Sequence, residues 1–340
     1  MGFIHKSISK EIESALKQAG NIVIITHINP DGDAIGSSLG LYHYLKSAGK
    51  SVHVITPNSY PAFLHWLPGD SEVLEFKRDY ANAKRLISET DILFHLDFND
   101  PGRIDAMYDH VSKNSKATKI LIDHHPNPVA FNDIEISDIR ASSTAELVFY
   151  LIKALNSELL TDRKICECLF TGIMTDTGCF SFNSSLPSTY QAVASIMEAG
   201  IDKDRIYNLV YNNFSEARMK LLGYGLDKKM QVINQYHTAF ISLSEEDLKK
   251  YSFNIGDSEG FVNFPLSIKG IRFSALFLER KDHVKISFRS HGDFPVNEFS
   301  AKHFNGGGHL NASGGKSYHS LDDTIKMFIS LLPGYSNWLM

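Results

Sequence analysis

The sequence predicts an α/β protein of two domains: a mostly parallel sheet flanked by helices, then a smaller α/β domain with its own sheet. Short apolar runs alternate with segments of helical periodicity over the first half of the chain, a pattern typical of parallel sheets. After a helical stretch over 201–231 the pattern changes to a run of strands, which indicates a domain boundary. We therefore expect a first domain over 1–187, a helical connector over 188–232, a second domain over 233–340 and a cleft between the domains.

Periodicity locates the elements of the first half. Apolar residues with helical spacing mark the helices, and apolar runs bounded by turn residues mark the strands. Because ligands bind at the carboxyl ends of parallel strands, the polar clusters that follow these strands are candidate functional residues. The predicted elements, in chain order, are a helix within 1–20, a strand over 21–27, a helix over 33–48, strands over 51–56, 91–98 and 116–125, and helices over 143–155, 161–173 and 188–199.

The second half is predicted to form a run of strands that is closed by helices. Its strands contain many β-branched and aromatic residues, which favour the pleated conformation. The predicted elements are strands over 236–243, 259–268, 271–280 and 283–290, a helix over 296–304, a glycine loop over 306–308 and a final helix over 321–331.

The composition excludes several classes of protein. Lys and Arg total 34 and Asp and Glu total 39, so a formal net charge of −5 disfavours extended binding of long nucleic acid, including long duplex DNA. Three cysteines without a C-x-x-C pattern disfavour a disulfide scaffold, and the 15 histidines favour nitrogen and oxygen ligands over thiolates at any metal site. The sequence contains no stretch of about 18 apolar residues and no apolar core of a signal peptide. We therefore expect a cytoplasmic protein with no membrane partner.

The segment His27–Asp33 is the strongest local candidate for a functional site. A proline and a glycine within it favour a turn directly after the first strand. Asp31 and Asp33 lie two residues apart, about 6.5–7 Å in extended geometry, so both carboxylates can face one side and suit two different metal ions. The alternative is that Asp33 caps a helix that begins at Ala34.

Further polar side chains follow other apolar elements. Asp97 ends a predicted strand, where a carboxylate is costly unless it caps a helix or binds a cation. The run Asp123-His124-His125 follows the next strand, and an imidazole is a common metal ligand that a carboxylate can orient. Asp176 follows a helix, and the alternative for Asp97 and Asp176 is an ordinary loop or turn. Together these ligands suit Mn²⁺ or a related ion, and two such ions would provide a nucleophilic hydroxide beside a phosphate.

A glycine loop in the second half is a candidate anion site. The backbone N–H groups of Gly306–Gly308 can form a nest, and His309 follows them directly. Arg289 and Ser290 end a predicted strand about 20 residues earlier and could add a charge-assisted contact with phosphate. The alternative is a flexible turn.

Taken together, these motifs resemble those of the DHH phosphoesterase family. The segments HINPDGDAIGSS, LDFND, IDHHPNP and TGIMTDTGCF occur in the order of four family motifs. GGGHLNASGG resembles the glycine–histidine motif of the DHH-associated C-terminal domain, so the similarity runs from about residue 20 to 316. The two-domain form resembles the branch of nanoRNases (oligoribonucleases) and of phosphatases of 3′-phosphoadenosine 5′-phosphate (pAp). One departure is Ser181, where many relatives carry a basic residue.

The resemblance implies a role for each matching residue. It implies two Mn²⁺ ions, with Mg²⁺ or another divalent ion as the alternative. One ion would be held by His27 and Asp31, the other by Asp33, His124 and Asp176, and Asp97 would bridge them. His125 would face the phosphate, and Asp123 would support His124. The substrate's far end would be held by Arg289, Ser290, Gly306, Gly307, Gly308 and His309.

The resemblance also implies an activity, which is attack on phosphorus by a metal-bridging hydroxide. The substrates would be short RNA or DNA oligonucleotides, dinucleotides such as pApA, and pAp, with 5′-mononucleotides among the products. The alternatives are a cyclic-di-AMP phosphodiesterase, a single-strand-specific exonuclease of the RecJ type, and a non-catalytic nucleotide-binding module. Dimerisation is common in the family, so a homodimer is an expected state. A dehydrogenase is disfavoured because no G-x-G-x-x-G follows the first strand.

Overall fold

The computed structural model describes residues 3–339, and the chain divides into two compact units. The first unit ends at Asn213 and the second begins at Phe214. This division lies inside the stretch 188–232 that the sequence assigns to a connector. The first two residues of the helix predicted within 1–20 lie outside the described residues. None of the helices described over 3–339 combines the length and the apolar composition that crossing a membrane requires.

A six-stranded sheet forms the centre of the first unit. Its strand order is β3-β2-β1-β4-β5-β6, and every neighbouring pair is parallel. The strands are β1 (Asn21–Thr26), β2 (Ser51–Thr56), β3 (Val73–Glu75), β4 (Ile92–Leu96), β5 (Thr118–Asp123) and β6 (Ile134–Ser137). The helices are α1 (Lys6–Gln18), α2 (Gly32–Ser47), α3 (Tyr80–Glu89), α4 (Tyr108–Val111), α5 (Thr144–Asn156), α6 (Arg163–Asp176), α7 (Pro187–Glu198) and α8 (Lys203–Tyr211). Short 3₁₀ helices cover Ala62–Leu64, Asp70–Glu72, Pro101–Met107 and Ser157–Thr161.

The central strands are apolar throughout because helices cover both faces of the sheet. In β1, Ile22 and Ile24 contribute to the apolar cluster on one face, and Val23 and Ile25 contribute to the cluster on the other. A strand buried on both faces reads as a continuous apolar run, which is how the sequence shows β1, β4 and β5. The two edge strands β3 and β6 are short and only partly buried, so this signal is absent there and the sequence does not predict them.

The order of the strands reverses between β1 and β4. From β1 the chain proceeds to β2 and β3 on one side, and from β4 to β5 and β6 on the other. The connections after β1 and β4 therefore lead away from each other and leave a crevice at the carboxyl ends of these two strands. In open α/β sheets such a switch point is where ligands bind, so the topology alone indicates the position of a site.

Helices α2 and α6 approach each other closely because glycines line their contact. A Cβ atom on Gly36 of α2 would lie 2.6 Å from the carbonyl oxygen of Cys168 and 2.7 Å from the backbone nitrogen of Gly172. Since both of these atoms belong to the backbone of α6, no side-chain rotation could relieve the overlap. The small residues of these two helices therefore fix the distance between their axes.

The second unit contains its own six-stranded sheet with the order β11-β12-β10-β9-β8-β7. Neighbouring strands are antiparallel except β8 and β9, which are parallel. The strands are β7 (Met230–Ile233), β8 (Thr238–Leu243), β9 (Phe273–Glu279), β10 (Val284–Ser290), β11 (Gly307–His309) and β12 (Ala312–Ser317). The helices are α9 (Glu216–Tyr224), α10 (Glu245–Lys250), α11 (Val296–His303), α12 (Leu321–Leu331) and α13 (Ser336–Leu339), with a π-helical turn over Gly225–Lys229 and 3₁₀ turns over Asn234–Tyr236, Phe261–Ser267 and Leu332–Tyr335.

Three predictions for the second unit need correction. The strand predicted over 259–268 is wrong, because this apolar stretch forms a 3₁₀ helix that buries Phe261 and contains Pro265, which has no N–H to donate to a sheet. The stretch predicted as helical over 201–231 ends in the strand β7. The glycine loop is part of a hairpin in which β11 pairs with β12, a segment whose composition gives little sign of a strand.

Asp247 anchors the start of α10 in the second unit. Its Oδ2 atom accepts hydrogen bonds from the backbone N–H and the hydroxyl of Ser244, each 2.9 Å long, and lies 2.8 Å from Lys229 Nζ. Its Oδ1 atom accepts a 2.8 Å bond from the Tyr224 hydroxyl. Burial opposes the charged form of this carboxyl group, but these contacts outweigh burial and lower its pKa to about 2.

Replacing Asp247 with asparagine is expected to lower the free energy of unfolding by about 2 kcal/mol at pH 7. A carboxyl group with a lowered pKa in the folded state stabilises the protein above its unfolded pKa near 3.8, and this contribution disappears as the pH falls towards 2. Urea unfolding at pH 7 and at pH 3 should therefore show a smaller difference between variant and wild type at pH 3. Asp227→Asn is the matched control because that carboxylate is 69% exposed in its pair with Lys228. An equal loss at both pH values would contradict the assignment.

Candidate metal centre and phosphate site

The sequence-predicted residues of the first unit meet at the switch point of its sheet. His27 directly follows β1 and Asp97 directly follows β4, the two strands between which the order reverses. His124 and His125 follow β5, the neighbour of β4, and Asp176 is the last residue of α6. Each segment leaves an apolar element and turns at the same edge of the sheet, so side chains that are far apart in the sequence become neighbours.

The ring of His27 is oriented by the backbone carbonyl of the next residue, Ile28. Its Nδ1 atom lies 2.8 Å from the carbonyl oxygen of Ile28, and its Nε2 atom lies 3.3 Å from Asp97 Oδ2 and 4.0 Å from Asp31 Oδ1. The Nε2 atom is buried and makes no well-aligned hydrogen bond with any residue over 3–339. A histidine whose Nδ1–H donates to a carbonyl presents the lone pair of Nε2, which is the usual arrangement of a metal-binding histidine. This buried, unsatisfied nitrogen between two carboxylates fits a cation.

Asp31, and not Asp33, caps helix α2. Asp31 is the N-cap of α2, since its Oδ1 atom accepts hydrogen bonds from the N–H groups of Asp33 and Ala34. The alternative in which Asp33 caps that helix is therefore wrong. Asp33 is buried and instead accepts hydrogen bonds of 2.6 Å from the Thr144 N–H and 2.8 Å from the Ala145 N–H at the start of α5.

A second group of ligand atoms consists of Asp33, His124 and Asp176, which all lie within 4.8 Å of one another. His124 Nε2 is 3.7 Å from Asp33 Oδ2 and 3.4 Å from Asp176 Oδ2. The other ring nitrogen, Nδ1, lies 3.2 Å from the carbonyl oxygen of Ala141, so this ring is also oriented through Nδ1. His27, Asp31 and Asp97 form the corresponding group on the side of β1.

Asp97 stands between the two groups. Its Oδ2 atom faces His27, and its Oδ1 atom lies 3.6 Å from His124 Nε2 and accepts a 3.0 Å hydrogen bond from the Thr144 hydroxyl. The backbone at Asp97 has φ of 65°, a left-handed conformation that few residues other than glycine adopt. One carboxylate thus presents one oxygen to each group of ligand atoms, which is the arrangement that a bridging ligand requires.

Asp123 orients His125 rather than His124. Its Oδ1 atom lies 2.8 Å from His125 Nδ1, and its Oδ2 atom accepts a 2.8 Å hydrogen bond from the His125 N–H. This differs from the predicted support of His124, whose Nδ1 atom is turned towards a backbone carbonyl instead. Because the chain turns at the end of β5, successive side chains no longer alternate as in a strand, and Asp123 reaches the second residue after it.

The electrostatics of the cluster favour a bound cation. Burial raises the pKa of Asp33, and the charges of Asp97 and Asp176 raise it further. Burial also opposes the charge of Asp97, but the contact with His27 and the nearby imidazoles lower its pKa below the usual value. Burying several carboxylates together is costly unless positive charge offsets them. The donor set of carboxylate oxygens and imidazole nitrogens suits Mn²⁺, Mg²⁺ or a related divalent ion better than a thiolate-binding metal.

The residues that hold these ligands in place are not among those predicted from the sequence. The Thr144 and Ala145 N–H groups lie in the first turn of α5, where backbone N–H groups have no partner within the helix and the helix dipole favours an anion. Ser143 caps this helix by accepting a hydrogen bond from the Glu146 N–H. A serine followed three residues later by a glutamate is a recognisable signal of a helix start, so the position of these N–H groups could have been found in the sequence.

In the second unit, two of the predicted phosphate-binding residues make local hydrogen bonds. Arg289 donates a 2.9 Å hydrogen bond to the Phe288 carbonyl. Ser290 donates its hydroxyl hydrogen to the Phe294 carbonyl and accepts from Asn311, so its only donor is used to hold a turn. A serine hydroxyl binds an anion through that same donor.

The three glycines of the loop differ in whether the fold has room for a side chain. A Cβ atom on Gly306 would overlap Ser300 Oγ, and Gly308 adopts φ of 144°, so the fold requires glycine at both positions. At Gly307 a Cβ atom would meet no atom within 4 Å among the described residues. His309 ends β11 beside these glycines. The backbone at Gly307 is therefore open to approach by a ligand.

Comparison with known proteins agrees with this fold. Residues 21–173 match the N-terminal domain of the DHH family, and residues 234–333 match the DHHA1 domain. The chain belongs to the DHH family of phosphoesterases, which are hydrolases. The fold class and the family expected from the sequence motifs are thereby confirmed.

Three similar proteins illustrate the relationship. The chain is 30% identical over 295 residues to the bifunctional oligoribonuclease and PAP phosphatase NrnA of Thermus thermophilus, an alignment that covers 87% of this chain and 83% of that protein. It is 45% identical to an exopolyphosphatase-related protein from Bacteroides fragilis, whose crystal structure superposes with a TM-score of 0.94 over 100% of this chain and 99% of that one. The cyclic-di-AMP phosphodiesterase PdeA of Listeria monocytogenes is 23% identical over 96% of this chain and 50% of its own length.

Proposed function

We propose that the protein hydrolyses short oligonucleotides such as pApA to 5′-mononucleotides, and pAp to AMP, with two divalent cations as cofactors. The observation that carries the proposal is the position of Asp97, whose two oxygens face two separate groups of ligand atoms at the switch point of the sheet. The similarity to an oligoribonuclease and PAP phosphatase over most of both chains supports the substrate class. We also propose, as expected from the sequence, that the protein is cytoplasmic and forms a homodimer.

The ligands of the cations are proposed from the two groups. His27 and Asp31 would hold one ion, Asp33, His124 and Asp176 would hold the other, and Asp97 would bridge them. When bound, two such ions neutralise charge on a phosphate and lower the pKa of a water molecule. The carboxylate of Asp33 is held by two backbone N–H groups, and both ligand histidines are oriented through Nδ1, so the chain presents its ligands in a fixed arrangement.

His125 is proposed to face the phosphate. Asp123 engages Nδ1 of His125, which directs the Nε2 atom away from that carboxylate. Burial lowers the pKa of His125 in spite of the neighbouring Asp123. Because Nδ1 faces Asp123, the Nε2 atom carries a hydrogen only in the protonated ring. The Nε2–H group of the protonated ring can stabilise the charge that develops on phosphate oxygens, which is the role we assign to His125.

Arg289, the backbone of Gly307 and Gly308, and His309 are proposed to bind the part of the substrate remote from the reacting phosphate. Gly306 would contribute through the fold of the loop, because its N–H donates a 3.2 Å hydrogen bond to the Ser300 carbonyl. Glycine-rich backbone and a guanidinium group are common partners of phosphate oxygens. Ser290 would contribute through the turn that it holds, because its hydroxyl hydrogen is donated to Phe294.

A substrate panel tests the proposal. Turnover of pAp, pApA, a longer single-stranded RNA, a longer single-stranded DNA, cyclic di-AMP and inorganic polyphosphate should be measured with Mn²⁺ and ranked by kcat/KM. We expect pAp and pApA to rank first and turnover to disappear when a chelator removes the metal. Preference for cyclic di-AMP would establish the second candidate, which the similarity to PdeA favours. Preference for the longer single-stranded RNA or DNA would indicate an exonuclease. Preference for polyphosphate would reject nucleotide substrates, and the absence of any turnover would indicate a binding module.

Replacing Arg289 or His309 with alanine is expected to raise KM for pApA by about tenfold or more, with kcat changed much less, because each would lose a contact made in both ground and transition states. Gly307→Ala should raise KM as well while leaving the melting temperature unchanged, since its added Cβ meets no atom of the described fold within 4 Å. Gly223→Ala is the matched control, as that glycine is exposed on α9 and also has open space around it. Unchanged KM in both Arg289→Ala and His309→Ala would remove these residues from the substrate site.

A further inference from the structure

Six residues after the proposed metal ligand Asp176, the chain carries an exposed aromatic side chain that the catalytic proposal leaves unexplained. Phe182 is 41% exposed although it is a large apolar residue, and Leu186 and Tyr190 nearby in the sequence are 40% and 51% exposed. The loop that carries Phe182 begins directly after Asp176, at the end of α6. An exposed aromatic ring in such a position needs a reason, because burial of the ring would be favourable.

The loop is held in an unusual conformation. Three successive residues, Gly178, Cys179 and Phe180, have φ of 52°, 55° and 65°, and Asn183 has φ of 48°. Left-handed backbone at residues other than glycine is strained, and strain of this kind persists only where surrounding contacts enforce it. At Gly178 a Cβ atom would overlap the ring of Phe182, so glycine is required there for the ring to occupy its place.

Two hydrogen bonds connect the loop to segments that carry proposed metal ligands. The Phe182 N–H donates a 3.2 Å hydrogen bond to the carbonyl of Thr177, the residue after Asp176. The Asn183 side chain donates a 3.4 Å hydrogen bond to the Ser142 carbonyl. Ser142 adjoins Ala141, whose carbonyl orients His124. The ring of Phe182 is therefore positioned by the same segments that position the metal ligands.

The chemistry of the surrounding segment suits a base rather than a phosphate. From Thr177 through Met197 the chain contains no Asp, Glu, Lys or Arg, in a protein with 73 charged residues in total (34 + 39). This segment itself supplies no cation to a phosphate and no repulsion to a polyanion. Aromatic rings bind nucleobases by stacking with little dependence on sequence, because every base has a π face.

We propose that Phe182 is a base-stacking residue, against which the nucleobase of the nucleotide at the metal centre packs. The inference rests on the proposed function, since it takes the substrate to be a nucleotide. It adds a determinant of specificity: compounds without a base should be poorer substrates than nucleotides of the same charge. It also accounts for the exposure of the ring, which a bound base would cover.

The test compares a substrate with and without its base. Steady-state kinetics with Mn²⁺ should be measured for pAp and for the bisphosphate of 1,4-anhydroribitol, which keeps both phosphates but lacks adenine. We expect Phe182→Leu to raise KM for pAp by about 5- to 100-fold, with kcat within about twofold, and to leave KM for the base-free compound unchanged. Phe182→Trp should restore KM for pAp, and Leu186→Ala is the control for loss of an exposed apolar side chain from the same segment.

Several outcomes would overturn the stacking inference. Equal changes in KM for both compounds would overturn it. A fall in kcat alone would do so as well and would indicate that the ring only supports Asp176. A change of oligomeric state in sedimentation without a change in KM would indicate instead an interface between copies of the chain. If wild-type protein hydrolyses neither compound, the proposed hydrolysis of pAp fails, and calorimetric binding of AMP against ribose 5-phosphate still decides the inference. Weaker AMP binding in Phe182→Leu would support it, and unchanged binding would reject it.

Discussion

Replacing Asp97 with alanine is expected to reduce kcat/KM for pApA by about a thousandfold or more while the protein remains folded. The substitution removes both oxygens that face the two groups of ligand atoms, so the loss would fall on both of the proposed ions at once. Electrostatic stabilisation by bound metal is worth several kcal/mol, and about 4 kcal/mol corresponds to a factor of a thousand. The free energy of unfolding without metal should fall by only about 1 kcal/mol, because alanine tolerates the left-handed backbone less well than aspartate, whereas the loss of the buried carboxylate also removes its repulsion of Asp33.

Two measurements check this prediction beyond activity. Titration calorimetry with Mn²⁺ should show a reduced stoichiometry or a much weaker affinity in Asp97→Ala, and circular dichroism should show an unchanged fold. Asp100→Asn is the matched control, since that carboxylate lies three residues further along in the exposed turn, where it caps a 3₁₀ helix. Retention of more than a few per cent of wild-type turnover with Mn²⁺ would falsify the bridging assignment.

Replacing Gly36 with valine is expected to lower the free energy of unfolding by at least about 3 kcal/mol. The added atoms would overlap the backbone of α6 at Cys168 and Gly172, so the two helices would have to separate. Because α2 carries Asp33 and α6 ends at Asp176, activity should fall by more than the loss of folded protein explains. Denaturant unfolding and kcat at a temperature where the variant is folded measure the two effects separately.

Gly223→Val provides the comparison for the Gly36 variant. Gly223 lies in α9 and is exposed, and a Cβ atom added there would meet no described atom within 4 Å, so valine should gain a few tenths of a kcal/mol from helix propensity. If Gly36→Val were as stable as wild type, the close approach of α2 and α6 would not be needed for the fold.

The central strands of the first unit are predictable from the sequence because they are buried on both faces, and so are the positions of the polar residues that follow them. The edge strands β3 and β6 are not predictable in this way, since they are held by main-chain pairing with a neighbour rather than by their own apolar pattern. β11 and β12 are not predictable for the same reason, because glycines occupy positions where most strands have larger residues. Periodicity also mistakes the apolar segment Phe261–Ser267 for a strand, since a buried 3₁₀ helix and a short strand both read as apolar runs.

The contacts that each carboxylate makes are harder to predict than its position near the site. The sequence places Asp31, Asp33 and Asp123 near the site, but the atoms that each carboxylate contacts depend on how the turns are folded. Asp33 reaches the start of α5, more than a hundred residues away in the chain, and no local pattern around Asp33 indicates that contact. Local rules instead suggest a helix cap at that residue, a role that its neighbour Asp31 fills.

The order of the ligand-bearing segments along the chain has a consequence for the maturation of the protein. His27 follows the first strand, whereas Asp176 is the last residue of α6, so most of the first unit separates them. On the ribosome the group Asp33–His124–Asp176 cannot be complete until α6 has emerged, and α6 itself must dock on α2 first. We therefore expect metal loading to follow the folding of the first unit. A cell short of the metal would then accumulate folded, inactive protein that could be activated later without new synthesis.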